Sequence, residues 1–222
     1  MKKIFQPFNI ENRLNDFFKS SEWIDISNET YPYDYFPKDL TTINANVIIR
    51  EDSKIKKIPD NFTVVGSLGI QSVDSLKEFP KNLKVLNSLF LTGSQFSVIP
   101  GDLVVGESGD KGYFGIDRVY ACNHISPDIT VHGSIVIDID SFCYMFRNTF
   151  PEVEKIIPKH DDYLNYLQGR RGMSFETKKR LANKLIKGYF KNITGKVVIM
   201  DTIEAGEYDR YELWFDENRE LE

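Results

Sequence analysis

Apolar and polar residues alternate in short runs through the middle of the chain. Phe62-x-Val64 is followed by Leu68-x-Ile70, Leu83-x-Val85 by Leu89-x-Leu91, and Ile129-x-Val131 by Ile135-x-Ile137. A period of two is the strand signature. Gly66-Ser67, Asn87-Ser88 or Gly133-Ser134 separates the two runs of each pair. This is a bend at which Gly or Asn is expected to take positive φ. Each pair opens after a proline in matched context: Phe36-Pro37, Ile58-Pro59, Phe79-Pro80, Ile99-Pro100 and Ser126-Pro127, spaced by 22, 21, 20 and 27 residues. Proline suits a corner, because it fixes φ and cannot donate to a ladder. One such coil cannot bury its apolar side. Stacked coils bury it against one another, with parallel strands ~4.8 Å apart. Residues 36–146 are therefore expected to form a β-solenoid of about five coils, with a β-sandwich as the competing arrangement.

The flanks read differently. Ile10, Leu14, Phe17 and Phe18 make an amphipathic stripe after Asn9, a plausible N-cap, and Trp23, Tyr31, Tyr33 and Tyr35 follow. Residues 1–35 are expected to form a helical cap over the open first coil. After residue 146 the repeat stops. Residues 161–168 fit a short helix, and Ser174 fits the N-cap of another carrying Leu181, Leu185, Ile186, Tyr189 and Phe190 on one side. Lys196–Asp201 and Arg210–Phe215 read as two strands. The expected fold class is α+β: a short solenoid with a helical N-terminal cap and a small α+β unit over 147–222.

The repeated unit, Pro-x-Asp/Asn-Leu-x-Val-x-Gly-Ser-Leu-x-Ile/Leu, resembles the short, degenerate leucine-rich-repeat-like units of many bacterial and phage proteins. The likeness covers about half the chain. It departs from standard leucine-rich repeats in its thin leucine content and in lacking a regular Asn ladder. The resemblance implies a surface for binding proteins and carries no catalytic residue across. It also suggests an accessory factor of a phage or mobile element that inhibits a host protein.

The spacing of 27 marks an insertion at about Gly106–Gly112, and insertions in solenoids become loops on one face. Glu107, Asp110 and Lys111 are its candidate binding residues. Lys111 follows Asp110 and precedes a strand, so the loop does not match a phosphate-binding loop. Residues 168–196 carry nine bases and one acid, including Arg170, Arg171, Lys178, Lys179, Arg180, Lys184 and Lys187. Residues 197–222 carry nine acids and two bases. The basic helix is a candidate patch for an acidic protein and, less favoured, for nucleic acid through a helix-turn-helix. Neutralisation by the acidic hairpin is the plainer reading.

A net charge of −5 argues against a general nucleic-acid coat. Aromatics at 13% argue against disorder. With no apolar leader and no run of 18 apolar residues, the expectation is a soluble, cytoplasmic protein without a membrane partner. Cys122 and Cys143 each lie six residues after an isoleucine, Ile116 and Ile137, so stacked coils would bring the sulfurs together. Buried free thiols are favoured over a disulfide. Three histidines and no recognised catalytic or zinc pattern leave no assigned catalytic residue, metal or cofactor. Asp138 and Asp140 alternate with Ile137 and Ile139, which would put both carboxylates on one strand face. A carbohydrate-binding or carbohydrate-active stack is the third functional reading, and it requires exposed aromatics on a solenoid face.

Overall fold

A computed structural model of the chain describes residues 10–19, 21–107, 112–156 and 174–201. It is a short β-solenoid of about five turns whose strands all pair in parallel. One sheet has seven strands in the spatial order β1 (Trp23–Ile26), β3 (Asn46–Ile49), β5 (Leu68–Gln71), β7 (Leu89–Thr92), β10 (Gly112–Asp117), β13 (Gly133–Asp138) and β15 (Val197–Met200). The facing sheet has six: β2 (Thr42–Ile43), β4 (Thr63–Val64), β6 (Lys84–Val85), β9 (Val104–Val105), β12 (Thr130–Val131) and β14 (Asn192–Ile193). A two-stranded ladder of β8 (Val98–Ile99) and β11 (His124–Ile125) lies on the return path.

The alternation seen in the sequence becomes columns of like residues. Ile26, Ile49, Ile70, Leu91, Ile116, Ile137 and Ile199 stand on successive rungs of the larger sheet. All seven are buried. Ile43, Val64, Val85, Val105 and Val131 do the same on the smaller sheet. Burying each such side chain stabilises the fold by roughly 1.5–3 kcal/mol, which is the reason that coils stack.

The corners follow from the proline contexts. The amide of Leu40 donates to the Pro37 carbonyl at 3.1 Å, closing a turn over Lys38 and Asp39. Of the three bends only Gly133 has positive φ, at 156°; Gly66 and Asn87 do not, and positive φ occurs instead at the third residue of two of the proline turns, Asn61 (58°) and Asn82 (52°). Asn tolerates this region because its short polar side chain bonds locally. Here Asn82 Nδ2 donates to Asn61 Oδ1 at 2.8 Å, a two-rung Asn ladder on the surface. Gly66 is needed for close approach instead: a Cβ there would stand 2.6 Å from the Ala45 carbonyl oxygen.

Strand pairing runs past both ends of 36–146. β1 pairs with β3, so the segment expected to be wholly cap supplies the first rung. The strand expected at Lys196–Asp201 forms at Val197–Met200 and pairs with β13, so it adds a rung to the larger sheet. Its expected partner at Arg210–Phe215 lies outside the described residues, as do the helix at 161–168 and Asn9.

Both ends of the core are plugged. The helix α1 (Ile10–Phe17) buries Leu14, and the turn after it buries Phe18. Phe18, Tyr31, Phe36 and Phe62 form a chain of ring contacts 5.3–5.5 Å apart. At the other end α2 (Ile139–Phe146) places Phe142 and Phe146 in the core. A 3-10 turn (Pro151–Lys155) and α3 (Phe175–Ile186) follow. The Tyr189 hydroxyl donates to the Ile125 carbonyl at 2.6 Å, fixing the end of α3 to β11.

Candidate interaction surfaces

The helix α3 begins where Ser174 accepts a hydrogen bond from the Thr177 amide at 3.4 Å, as its sequence predicts. Ala182 and Ile186 on the helix, and Phe190 after it, are buried and turn one side toward the core. The bases do not form one patch. Arg180, Lys184 and Lys187 follow the i, i+4, i+7 spacing of a single face, and all three are exposed. No ion pair joins them to any described residue. Lys178 is half-buried on the side toward α2, close enough to Cys143 to act on its thiol. Lys179 lies 5.6 Å from the centre of the Phe175 ring. Arg170 and Arg171 lie outside the described residues.

The insertion occurs where expected, between β9 and β10. Gly106, at φ 79°, starts it, and Glu107 beside it is exposed. Asp110 and Lys111 lie outside the described residues. The insertion ends at Gly112, where a Cβ would stand 2.6 Å from the Asn87 carbonyl oxygen. The loop therefore has a glycine at each base.

Asp138 and Asp140 do not share a strand face. The strand ends at Asp138, which caps α2, and Asp140 is in the first helical turn. Asp138 accepts the amides of Asp140 and Ser141, both at 3.0 Å, and of Arg118 at 2.9 Å. Burial pushes its carboxyl above the usual carboxylate range, against the pull of those bonds. Arg118 Nε donates to the buried Asp117 carboxylate at 2.9 Å. These carboxylates join strand, corner and helix, and the paired-carboxylate reading loses its geometry.

The helix also separates the cysteines. Ile116 and Ile137 are equivalent rungs, but Cys143 lies in α2 while Cys122 lies in a corner. Both thiols are free and buried. Burial pushes Cys122 up to about 11 and Cys143 up to about 12. Among the described residues no group of three His, Cys, Asp or Glu side chains is placed to hold a metal ion, and no helix is long and apolar enough to cross a membrane.

One surface was not anticipated. Tyr120, in the corner after β10, and Tyr144, on α2, are 46% and 42% exposed, with ring centroids 5.2 Å apart. The Arg147 guanidinium lies 5.5 Å from the centre of the Tyr144 ring. Beside Tyr120 an open groove of about 440 Å³ is lined by Ser72, Gly93, Gln95, Arg118 and Ala121. Burial pushes the Tyr120 hydroxyl up to about 12, with nearby Asp138, Asp140 and Asp117 adding to it. The tyrosines are far apart in sequence, and only the unforeseen α2 brings them together.

Comparison with protein-family models, with curated proteins and with solved structures returns no match.

Proposed function

We propose that the protein is a non-enzymatic binding protein whose α3 presents Arg180, Lys184 and Lys187 to an acidic surface on a partner protein. The observation carrying this reading is the exposed basic face, with no ion pair to any described residue, on a helix anchored to the core through Ala182, Ile186 and Phe190. A helix fixed to the core holds the three positions in register, so binding has to order only the side chains. The loop bearing Glu107 is a second, oppositely charged contact with the same partner. Inhibition of a host protein is the role that the repeat resemblance suggests for such a surface.

The test is affinity capture from lysate with wild-type protein and with Arg180→Glu/Lys184→Glu/Lys187→Glu, each with and without nuclease. A protein recovered by wild type in both nuclease arms and lost with the triple variant supports the reading. Recovery that disappears with nuclease, and an affinity falling steeply with salt, would transfer the face to nucleic acid. Equal recovery by wild type and variant removes α3 from the interface.

The exposed Tyr120 and Tyr144 favour a second reading, sugar binding at the corner groove. Their rings meet at 55°, so each offers its own face. Glycan binding that survives Tyr120→Ala and Tyr144→Ala would eliminate this site.

A further inference from the structure

Among the described residues, β1 is the edge strand at the start of the larger sheet. The amides of Asn46 and Arg50, flanking β3, donate to the carbonyls of Glu22 and Ile26, each at 2.9 Å. The even positions of the first rung therefore bond its neighbour. Trp23, Asp25 and Ser27 turn their backbone groups away from the stack. A row of this kind is a template for another strand.

Side chains occupy much of that row. Ser21 Oγ accepts the Trp23 amide at 3.1 Å. Thr30 Oγ1 serves two positions at once: it donates to the Asp25 carbonyl at 2.5 Å and accepts the Ser27 amide at 3.0 Å. The Ser27 carbonyl accepts the Tyr31 amide at 2.9 Å. Thr30 is itself tied down. Its amide donates to Ser27 Oγ at 3.2 Å, and the Asn28 amide donates to Asp52 on the next coil at 3.2 Å.

The last corner of the repeat uses the same substitution. The amides of Ser72 and Gly93 donate to the carbonyls of Thr92 and Asp117, one rung on, at 2.7 and 2.9 Å. Where the chain turns into α2 instead of making another corner, the Arg118 amide goes to Asp138 Oδ2 at 2.9 Å. The Val119 amide goes to Ser141 Oγ at 2.7 Å. In both places a side-chain oxygen does what a further rung would do.

We infer that Ser21 and Thr30 guard the first rung, keeping the edge of β1 from pairing with a second copy of this chain. Two copies related by a two-fold axis can lay β1 against β1 in antiparallel fashion, each edge offering the other the same groups. Trp23, 61% exposed on this strand, gains cover in such a pair, so apolar burial favours what the hydroxyls oppose. An incoming strand meets an Asp25 carbonyl and a Ser27 amide that are already bonded. Its own bonds replace existing ones and gain little. The guard lies on a different element from the basic face of α3 and does not depend on the partner assigned to that face.

Sedimentation velocity over a range of concentrations tests this on the intact chain. Ser21→Ala/Thr30→Val removes both oxygens and should keep the circular dichroism spectrum of wild type. It is expected to self-associate at least about ten-fold more tightly than wild type, the scale of one or two restored hydrogen bonds. Thr30→Ser keeps the oxygen and should match wild type. Adding Trp23→Pro to the double variant removes an outward amide without touching the bonds to β3, and should restore the wild-type constant. Ser21→Ala alone repeats the comparison, with a smaller rise, if the double variant does not fold. Association of the folded double variant no tighter than wild type would overturn the inference. So would association that survives Trp23→Pro, which assigns it to the added apolar surface. A wild-type dimer that Trp23→Pro dissociates would show an unguarded edge and overturn it equally.

Discussion

The side-chain amide of Asn82 donates to Asn61 on the preceding coil, and both residues hold left-handed backbone. Two effects therefore meet at one corner, a cross-coil bond and a conformation that few side chains tolerate. Asn82→Ala loses the bond and forces a Cβ residue into φ near 52°, at a cost of about 1–2 kcal/mol. Asn82→Gly loses only the bond and should cost less. Urea denaturation of the two variants separates the terms, and equal midpoints would show that backbone strain contributes nothing.

The columns of the core should respond by position. Ile70 has rungs on both sides, and Ile70→Ala is expected to cost about 2–5 kcal/mol. Val197, on the last described rung and half-buried, should cost less when cut to Ala. Denaturation midpoints order the two directly.

Asp138 joins two opposing effects. Asp138→Ala removes the acceptor for three backbone amides and should destabilise by about 2 kcal/mol, while Asp138→Asn keeps a capping oxygen and should cost far less. The pH dependence follows from the raised carboxyl. A folded-state value above the unfolded one means that the folded state binds the proton more tightly. Wild type should then gain stability relative to Asp138→Asn as pH falls through the folded value toward the ordinary carboxylate range, and lose that gain as pH rises. Asp34 acts in the opposite sense, because Lys56 holds its carboxyl below the usual range, and its contribution fades on acidification. Comparing melting temperatures of wild type and Asp138→Asn across pH isolates the first effect.

The bases of α3 should divide by face. Lys184→Glu is expected to leave the stability within about 0.5 kcal/mol of wild type and the melting temperature nearly unchanged, as for other exposed positions. Lys178→Glu places a carboxylate on the side toward α2 and Asp140 and should destabilise. Equal melting temperatures for the two would show that the helix is turned differently from the arrangement described.

Both thiols should resist modification in the folded protein. With Cys122 near 11, on the order of one thiol in a thousand is ionised at pH 8, and both cysteines are buried. A disulfide-exchange reagent should titrate them only after denaturant is added.

Much of the stack is legible in the chain because each coil uses the same positions. Val64, Val85 and Val131 announce their column without any structure. The first rung was missed because Ile24-Asp25-Ile26 has no proline context before it. The last rung had a readable signal. Ile193-Thr-Gly195-Lys-Val197-Val-Ile199 repeats Val131-His-Gly133-Ser-Ile135-Val-Ile137, but a long interval hides the match. The α2 helix was misread because Ile137-Asp-Ile139-Asp alternates like a strand. The amides of Asp140 and Ser141 satisfied by Asp138 then turn the chain into a helix, a local bond that periodicity does not reveal. The surface bearing Tyr120 and Tyr144 depends on that turn and was illegible for the same reason.

The excursion over residues 139–191 has a consequence for how the molecule assembles. Earlier repeats place neighbouring rungs some twenty residues apart, so each closure is short and growth proceeds from one coil to the next. The pairing of β13 with β15 instead spans some sixty residues that include α2 and α3. Its closure entropy is larger, but only by about 1 kcal/mol, since loop cost grows slowly with length. The delay comes from the intervening helices, which must settle before the final strand finds its edge. Until then β13 offers an unpaired edge to any other chain, so the longest-range closure is also the one most exposed to mispairing.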